Sequence, residues 1–231
     1  MNKQIPNLLT ALNLVCGLLA MIALKDRSLE VVIVYLSFAL LFDLLDGAVA
    51  RLLGVSGELG KQLDSLADVV SFGVVPGFIM FYMIVDVNQT DYQQLNYAGF
   101  LVTVFSAFRL AKFNIDTRQG DAFYGLPTPA NTALIVSFWA IYASGQDTPF
   151  KTLLHNPYVL AGLCSLSSIM LIMDVRLIAL KFKNFNFQDN LFRYLLIAVT
   201  LGVLATIGMT GIPIIIGSYI LLSIIENMVK A

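Results

Sequence analysis

The chain has 231 residues, of which 58% are hydrophobic and 13% are charged, and its formal net charge is −1. Soluble domains carry about 25% charged residues, so this composition argues against a soluble protein and predicts one integral membrane domain. The lack of a basic excess argues against a nucleic-acid partner, and two cysteines in separate apolar stretches, Cys16 and Cys164, argue against a disulfide framework.

Apolar stretches long enough to cross a bilayer, which takes about 20 helical residues, recur along the whole chain. We predict eight spans, at residues 6–25, 29–53, 64–87, 97–113, 130–147, 157–174, 192–208 and 211–227. The short gap between the last two, Gly208 to Gly211, predicts a tight hairpin. Thr128 and Asn131, which precede or open the fifth span, are interpreted as its caps. The predicted fold is an all-α polytopic membrane bundle.

The distribution of basic residues predicts the orientation, because cytoplasmic loops carry an excess of Lys and Arg. With the N-terminus in the cytoplasm, the outside receives only Lys25, Arg27 and Lys151 of the chain's Lys and Arg residues. This orientation predicts a cytoplasmic (inner) membrane protein. It also puts the sole histidine, His155, on the outside.

Four aspartates lie at the predicted cytoplasmic ends of spans two and three: Asp43, Asp46, Asp64 and Asp68. Each pair, spaced i, i+3 or i, i+4, projects from one helix face. Carboxylates at membrane depth usually mark function, and four neighbouring carboxylates repel one another unless something compensates. Hard divalent cations prefer such oxygen ligands, and paired cations hold and activate phosphate oxygens. A buried salt-bridge network with packing glycines is the structural alternative.

Small residues surround these aspartates and permit close helix contact or close approach of a ligand. Gly47, Ala48 and Ala50 follow Asp46, and three glycines, Gly54, Gly57 and Gly60, follow on the way to Asp64. Arg51 lies one turn beyond Gly47, where it can pair with a carboxylate or a phosphate. Together these features predict a nucleotide diphosphate site.

The series Asp43-x2-Asp46-Gly47-x2-Ala50-Arg51-x8-Gly60-x3-Asp64-x3-Asp68 resembles the signature of the CDP-alcohol phosphotransferases at every fixed position. The resemblance covers the first six spans. It implies a membrane enzyme, in that family a homodimer, that moves a substituted phosphate from a CDP-linked donor to an alcohol and releases CMP. The first part of the chain (1–174) is thus predicted to be the transferase core. The Lys and Phe content of the next segment (175–191) predicts a cytoplasmic interfacial segment, with an ordinary positive-inside loop as the alternative, and residues 192–231 are predicted to form a C-terminal two-helix hairpin.

The same resemblance implies roles for individual residues. Two divalent cations, Mg²⁺ or Mn²⁺ with Ca²⁺ as an alternative occupant, are held by Asp43, Asp46 and Asp64. Asp68 also lies at the metals and acts as the general base. The cytidine and diphosphate pocket is shaped by Gly47, Ala50, Arg51 and Gly60, and bordered by the opening segment with Asn7 and Thr10.

Residues 107–114 (AFRLAKFN) and 123–131 (FYGLPTPAN) are similar to the phosphatidylserine synthase branch of the family. The similarity implies CDP-diacylglycerol as the donor and L-serine as the acceptor. At the end of span four, Arg109 is predicted to bind the serine carboxylate as a bidentate fork, with Lys112 and Asn114 beside it. The lipid phosphate is the rival partner of Arg109 and Lys112, and anchoring to headgroups is the alternative for both.

The predicted reaction is a direct attack of the serine hydroxyl on the β-phosphorus, with Asp68 accepting the proton. The nearest alternative is the same enzyme class with another acceptor (glycerol 3-phosphate, inositol, inositol phosphate or choline) or an ether-linked donor. An ion-coupled transporter is the alternative from another class, and it predicts acids near the membrane midplane and inverted repeats.

Overall fold

The computed structural model describes residues 4–55, 57–89, 92–116, 123–179 and 186–230. Within these ranges the protein is a bundle of helices with one pair of two-residue strands. The helices are α1 (Gln4–Lys25), α2 (Leu29–Leu53), α3 (Glu58–Val69), α4 (Val75–Val87), α5 (Gly99–Ile115), α6 (Thr128–Ala143), α7 (Pro149–Leu154), α8 (Pro157–Ile172), α9 (Leu191–Ile207) and α10 (Ile212–Lys230). The strands are β1 (Phe123–Tyr124) and β2 (Arg176–Leu177).

The prediction of an all-α polytopic membrane bundle is confirmed, since a helix or a continuous helical run occupies each of the eight predicted spans. Long apolar runs that suffice to cross a membrane are found at Gln4–Lys25, Leu29–Leu53, Glu58–Val87, Gln93–Ile115 and Leu191–Val229. The predicted hairpin between the last two spans is the 3₁₀ turn Gly208–Gly211, and Gly208 adopts a φ of 67° there.

Element ends differ from the prediction where polar residues continue or stop a helix. The third span begins at Glu58 rather than at residue 64, because a polar first turn continues the helix outside the apolar stretch. The fifth span ends at Ala143, where Ser144 turns extended and its hydroxyl donates to the carbonyl of Ile141 at 2.8 Å. Helix α7 was not predicted, although Thr148 before a proline is a typical helix start.

The prediction that Thr128 and Asn131 cap the fifth span is wrong. Pro127 occupies the N-cap position of α6, and the helix has no side-chain capping hydrogen bond. Asn131 lies a full turn inside the helix, where its side chain no longer faces the free N–H groups of the first turn. Both side chains are instead buried in the bundle.

Helices α3 and α4 form one continuous run, joined by the π-helical segment Val70–Val74. Two carbonyls of this segment accept hydrogen bonds from neighbouring helices: Phe72 from the Thr132 hydroxyl at 3.1 Å and Gly73 from the Thr103 hydroxyl at 2.9 Å. Helix α5 crosses α4 in close contact, since a Cβ added to Gly99 would lie 2.5 Å from the backbone N of Phe81. These contacts hold α5 and α6 against the middle of the long run.

The turn between α1 and α2 is tied to the far end of α4. Arg27, which adopts a φ of 57°, makes two hydrogen bonds of 2.8 Å with the Asp86 carboxylate and lies over the Tyr82 ring at 4.4 Å. This ion pair neutralises both charges, and it fixes the hairpin of α1 and α2 to the continuous run of α3 and α4.

The C-terminal hairpin braces the strand pair. Strand β1 pairs antiparallel with β2, and α10 presents a face of side chains, four residues apart, to the backbone at β2. The Tyr219 hydroxyl donates to the Ile178 carbonyl at 3.0 Å, Ser223 Oγ accepts from the Ile178 N–H at 3.1 Å, and Asn227 donates to the Arg176 carbonyl at 2.8 Å. The last two helices therefore hold part of the predicted interfacial segment inside the protein; residues 180–185 of that segment lie outside the described ranges.

Candidate active site

Three of the four aspartates converge at one point between α2 and α3. One carboxylate oxygen from each of Asp43, Asp64 and Asp68 lies within 4.8 Å of the other two. Asp46 is buried beside them, and its Oδ2 accepts a hydrogen bond of 2.5 Å from the Thr10 hydroxyl of α1. The three converging aspartates, called the trio below, thus include Asp68, the predicted base. They do not include Asp46, which was predicted to be a metal ligand.

The trio has the donor set of a site for a hard cation. Asp64 Oδ1 is buried and has no hydrogen-bond partner among the described residues. Within the same ranges, no Lys or Arg forms a salt bridge with any of the four aspartates. Clustered carboxylates that form no salt bridge leave most of their negative charge uncompensated, and carboxylate oxygens are the ligands that Mg²⁺, Mn²⁺ and Ca²⁺ prefer. The cluster can therefore hold a metal ion.

A cavity of about 680 Å³ opens beside the aspartates, within the size range of ligand pockets. Asp46 and Asp64 lie on its wall. All six residues predicted to bind the CDP-lipid line it: Asn7, Thr10, Gly47, Ala50, Arg51 and Gly60. Asn7 lies close to Gly60 across the cavity lining, since a Cβ on Gly60 would lie 3.6 Å from Asn7 Oδ1, in ordinary van der Waals contact. The sequence motif and the opening segment of α1 thus form one site.

Asp68 is held by a side-chain network that the sequence interpretation missed. Asn13 Nδ2 donates to Asp68 Oδ1 at 3.0 Å, and the Ser71 hydroxyl donates to Asn13 Oδ1 at 2.8 Å. Gly17 makes room for this arrangement, because an added Cβ would lie 2.5 Å from Ser71 Oγ. The detectable signal was the i, i+3, i+6 spacing of Asn7, Thr10 and Asn13 on one face of an apolar span.

The three residues predicted to bind serine or phosphate lie in different environments. Arg109 is buried and interacts electrostatically with Asp68, and its guanidinium lies 5.7 Å from the Phe113 ring centre. Lys112 is exposed. The Asn114 amide donates to Ser65 Oγ at 2.8 Å, which ties α5 to α3. Of the three, Arg109 is the one that reaches the interior beside the aspartates.

His155 lies at the other end of the bundle. Its ring is 4.8 Å from that of Tyr142, and both line a cavity with Asp86. Asp86 follows Asp68 by eighteen residues on one helical run, which is roughly 27 Å at 1.5 Å per residue. The aspartate site therefore has no nearby histidine within the described residues to serve as a base.

The model of the family described as CDP-alcohol phosphatidyltransferase matches residues 3–180, which is most of the chain. The chain belongs to the CDP-alcohol phosphatidyltransferase family. The resemblance inferred from the eight fixed residues of the motif is thereby confirmed, and the aspartate site lies within the matched region. The chain is accordingly an integral membrane enzyme of this family.

Relatives within the family differ in how much of the chain they match. The CDP-diacylglycerol–serine O-phosphatidyltransferase of Helicobacter pylori strain J99 is 28% identical over 226 residues, covering 96% of this chain and 90% of the relative. That of Bacillus subtilis is 30% identical over 173 residues, covering 73% and 86%. The archaetidylserine synthase of Methanothermobacter thermautotrophicus is 38% identical over 139 residues, and this chain spans only 57% of its length.

Proposed function

We propose that the protein transfers the phosphatidyl group of CDP-diacylglycerol to the hydroxyl of L-serine and releases CMP. The observation that carries the proposal is the convergence of Asp43, Asp64 and Asp68 within 4.8 Å beside a cavity lined by the CDP-binding residues of the motif. Serine as the acceptor is supported by the Helicobacter pylori and Bacillus subtilis relatives, both CDP-diacylglycerol–serine O-phosphatidyltransferases, and by the buried Arg109, which interacts electrostatically with Asp68.

The donor's CDP group occupies the 680 Å³ cavity, and its acyl chains stay in the surrounding lipid. Gly47 and Gly60 let the cytidine and diphosphate approach the helix backbones, because neither carries a side chain. The Arg51 guanidinium, exposed at the cavity wall, pairs with the diphosphate. Asn7 and Thr10 of α1 close the opposite wall.

Two divalent cations, Mg²⁺ or Mn²⁺, would be held by Asp43, Asp46 and Asp64, with Asp68 at the same cluster. Bound there, they supply neutralisation of the diphosphate and stabilisation of the charge that develops on the leaving group. The protein's own part is to keep four carboxylates close together against their repulsion, through the Thr10 and Asn13 hydrogen bonds.

In the transfer step the serine oxygen forms a bond to the β-phosphorus, and the bond from that phosphorus to the bridging oxygen breaks. The CMP leaves with the bridging oxygen, and Asp68 accepts the hydroxyl proton. Asn13 engages Oδ1 of Asp68, so Oδ2 is the oxygen left to take the proton. Arg109 holds the serine carboxylate, which places the hydroxyl near Asp68. The transfer is direct, without a covalent enzyme intermediate.

The test is an assay of the purified protein in lipid nanodiscs with CDP-diacylglycerol, Mg²⁺ or Mn²⁺, and a panel of alcohols: L-serine, glycerol 3-phosphate, inositol and choline. We expect CMP release that depends on serine. Release only with a phosphorylated acceptor would overturn the serine assignment and keep the enzyme class. No release with any alcohol would refute the transfer and favour an ion-coupled transporter.

Two variants test the assigned roles. Asp68→Asn is expected to abolish turnover and retain CDP-lipid binding, whereas Asp147→Asn, a fully exposed carboxylate at the other end of the bundle, serves as the matched control with full activity. Arg109→Ala is expected to raise the KM for serine more than that for CDP-diacylglycerol. The opposite pattern would assign Arg109 to the lipid phosphate.

We further propose that the aspartate site faces the cytoplasm and that the protein is a homodimer. Arg27 and Lys151, two of the few basic residues predicted outside, lie at the His155 end, which supports this orientation. Cysteine labelling from either side at Glu58 and at Gln146 tests the orientation, and the mass of the nanodisc-embedded protein tests the dimer.

A further inference from the structure

Five side chains on α5, α6 and α8 contain buried polar atoms that have no hydrogen-bond partner among the described residues: Ser106, Arg109, Thr128, Asn131 and Ser168. Asn131 is the extreme case, because it is 0% exposed and neither its amide oxygen nor its amide nitrogen has a partner within the described part of the chain. Buried polar groups in native proteins are nearly always paired, since leaving them unpaired is destabilising. A concentration of such groups therefore indicates a polar ligand that the protein binds there.

Four of these five residues lie on α5 and α6, which both pack on the π-helical segment that follows Asp68. On the α6 side, Thr132 donates to the Phe72 carbonyl at 3.1 Å, so the first turns of α6, which include Asn131, pack on that segment. Thr128 is one turn before Thr132 on the same helix, and within the described residues its hydroxyl neither accepts a capping hydrogen bond nor donates to another group. The polar first turn of α6 therefore faces the π-helical segment that follows Asp68, the proposed base.

The α5 side closes the same region. Ser106 packs on the π-helical segment, because a Cβ on Gly73 would lie 3.0 Å from the Ser106 Cβ. Arg109, one turn further along α5, has a buried Nε that finds no partner among the residues described, and it interacts electrostatically with Asp68. One guanidinium, one amide and two hydroxyls thus lie on the two helices that pack on the segment next to the proposed base.

We propose that Asn131, together with Thr128, Ser106 and Arg109, binds the carboxylate and the ammonium group of the acceptor. The inference rests on the proposed function and specifies which residues recognise the acceptor. An asparagine amide offers two N–H donors for a carboxylate and one oxygen for an ammonium group, and Arg109 supplies the single positive charge that one carboxylate requires. Lys112 and Asn114, predicted from the sequence, are not needed in this site.

The composition of the site defines the class of acceptor as a small zwitterion. Arg109 is the one cation among the five unpartnered residues, so a phosphorylated acceptor with two negative charges would leave charge uncompensated in a buried place. A site built from hydrogen-bonding groups also rejects analogues that lack the matching group, because its own polar atoms are then left unpaired. Ethanolamine, which lacks the carboxylate, and 3-hydroxypropionate, which lacks the ammonium group, are therefore expected to be poor acceptors.

The experiment compares wild-type protein with Asn131→Leu, a substitution of similar shape, in the CMP-release assay. We expect the KM for serine to rise about tenfold to hundredfold, as for lost hydrogen bonds to a charged ligand, with the KM for CDP-diacylglycerol within about twofold. The substrate-free variant should be as thermally stable as the wild type or more so, because an unpaired buried amide has been removed. A structural role for Asn131 would lower the stability instead.

Two further variants complete the test. Thr128→Val removes one unpartnered hydroxyl at constant shape, and it should also raise the serine KM; it replaces Asn131→Leu if that variant does not fold. Ser137→Ala is the matched control on the same helix, because the buried Ser137 hydroxyl has its own acceptor, the Leu134 carbonyl at 2.6 Å. Its serine KM should equal that of the wild type.

The outcomes separate this inference from the proposed function. If wild-type protein shows serine-dependent CMP release and the folded Asn131 and Thr128 variants keep its serine KM, the polar groups bind ordered water only and the inference is wrong. If wild-type protein releases CMP with another alcohol but not with serine, both the inference and the serine assignment are wrong.

Discussion

Asn13→Leu tests whether the hydrogen bond to Asp68 positions the base. Asn13 donates to Asp68 Oδ1 at 3.0 Å in a fully buried place, and leucine has nearly the same shape but no donor. A hydrogen bond to a charged group contributes about 1.5–3 kcal/mol. If that free energy is lost from the transition state, kcat falls by roughly tenfold to 150-fold.

The physical reason is that the Asn13 N–H both stabilises the charged carboxylate and fixes which of its oxygens faces the acceptor. Without this donor, the Asp68 carboxylate is free to rotate. In a smaller fraction of molecules it is then oriented to accept the proton. Ser71→Ala should give a smaller loss, because it removes only the 2.8 Å hydrogen bond that orients the Asn13 amide.

The assay is the initial rate of CMP release at saturating serine and CDP-diacylglycerol. The KM values for both substrates should stay within about threefold, since Asn13 contacts neither in the proposed mechanism. Asn88→Leu is the matched control: Asn88 is a buried asparagine at the other end of the bundle that donates to Asn96 Oδ1 at 2.7 Å. Wild-type kcat in Asn13→Leu, or an equal loss in Asn88→Leu, would refute the positioning role.

Removal of divalent cations with EDTA should abolish CMP release and Mg²⁺ or Mn²⁺ should restore it, because the clustered carboxylates otherwise repel the diphosphate; activity that survives chelation contradicts the metal site. Gly17→Ala places a Cβ 2.5 Å from Ser71 Oγ, so we expect a stability loss of about 1–3 kcal/mol and a lower kcat, and a variant as stable as the wild type speaks against this close packing. Tyr219 donates to the Ile178 carbonyl and interacts electrostatically with Arg109, the proposed partner of the serine carboxylate. Tyr219→Phe should therefore lower the free energy of unfolding by about 1 kcal/mol and raise the serine KM more than the CDP-diacylglycerol KM; equal changes in both KM values would argue that α10 does not act on the acceptor side.

The aspartate cluster and the CDP cavity could be predicted from the sequence, because they depend on the spacing of residues within one helix. Residues three or four apart share a helix face, so the two aspartate pairs had to face one way, and the small residues between them follow the same spacing. Which aspartates converge depends on the rotation of α2 against α3. That rotation is set by packing between helices, which is why Asp68 rather than Asp46 completes the trio.

The acceptor side was harder to predict because its residues come from helices far apart in sequence. Arg109 and Asn114 are five residues apart, which turns their side chains about 140° from each other on a helix of 3.6 residues per turn. Asn114 therefore bonds to Ser65 and does not accompany Arg109. Asn131 carried a plausible capping role in the sequence, and only the tertiary structure shows that its amide is buried with no partner in the ranges that the structure describes.

The π-helical segment Val70–Val74 connects the two halves of the site. It follows Asp68 by two residues, it brings Ser71 to Asn13 on α1, and its Phe72 carbonyl accepts from Thr132 on α6. A π turn contains one residue more than an α turn, and such turns are frequent at functional sites. A regular α-helix would rotate α4 by about 100° relative to α3. Either Asp68 would then leave the aspartate cluster, or the carbonyls would leave their donors on α5 and α6, so this segment sets the position of the base relative to both substrates.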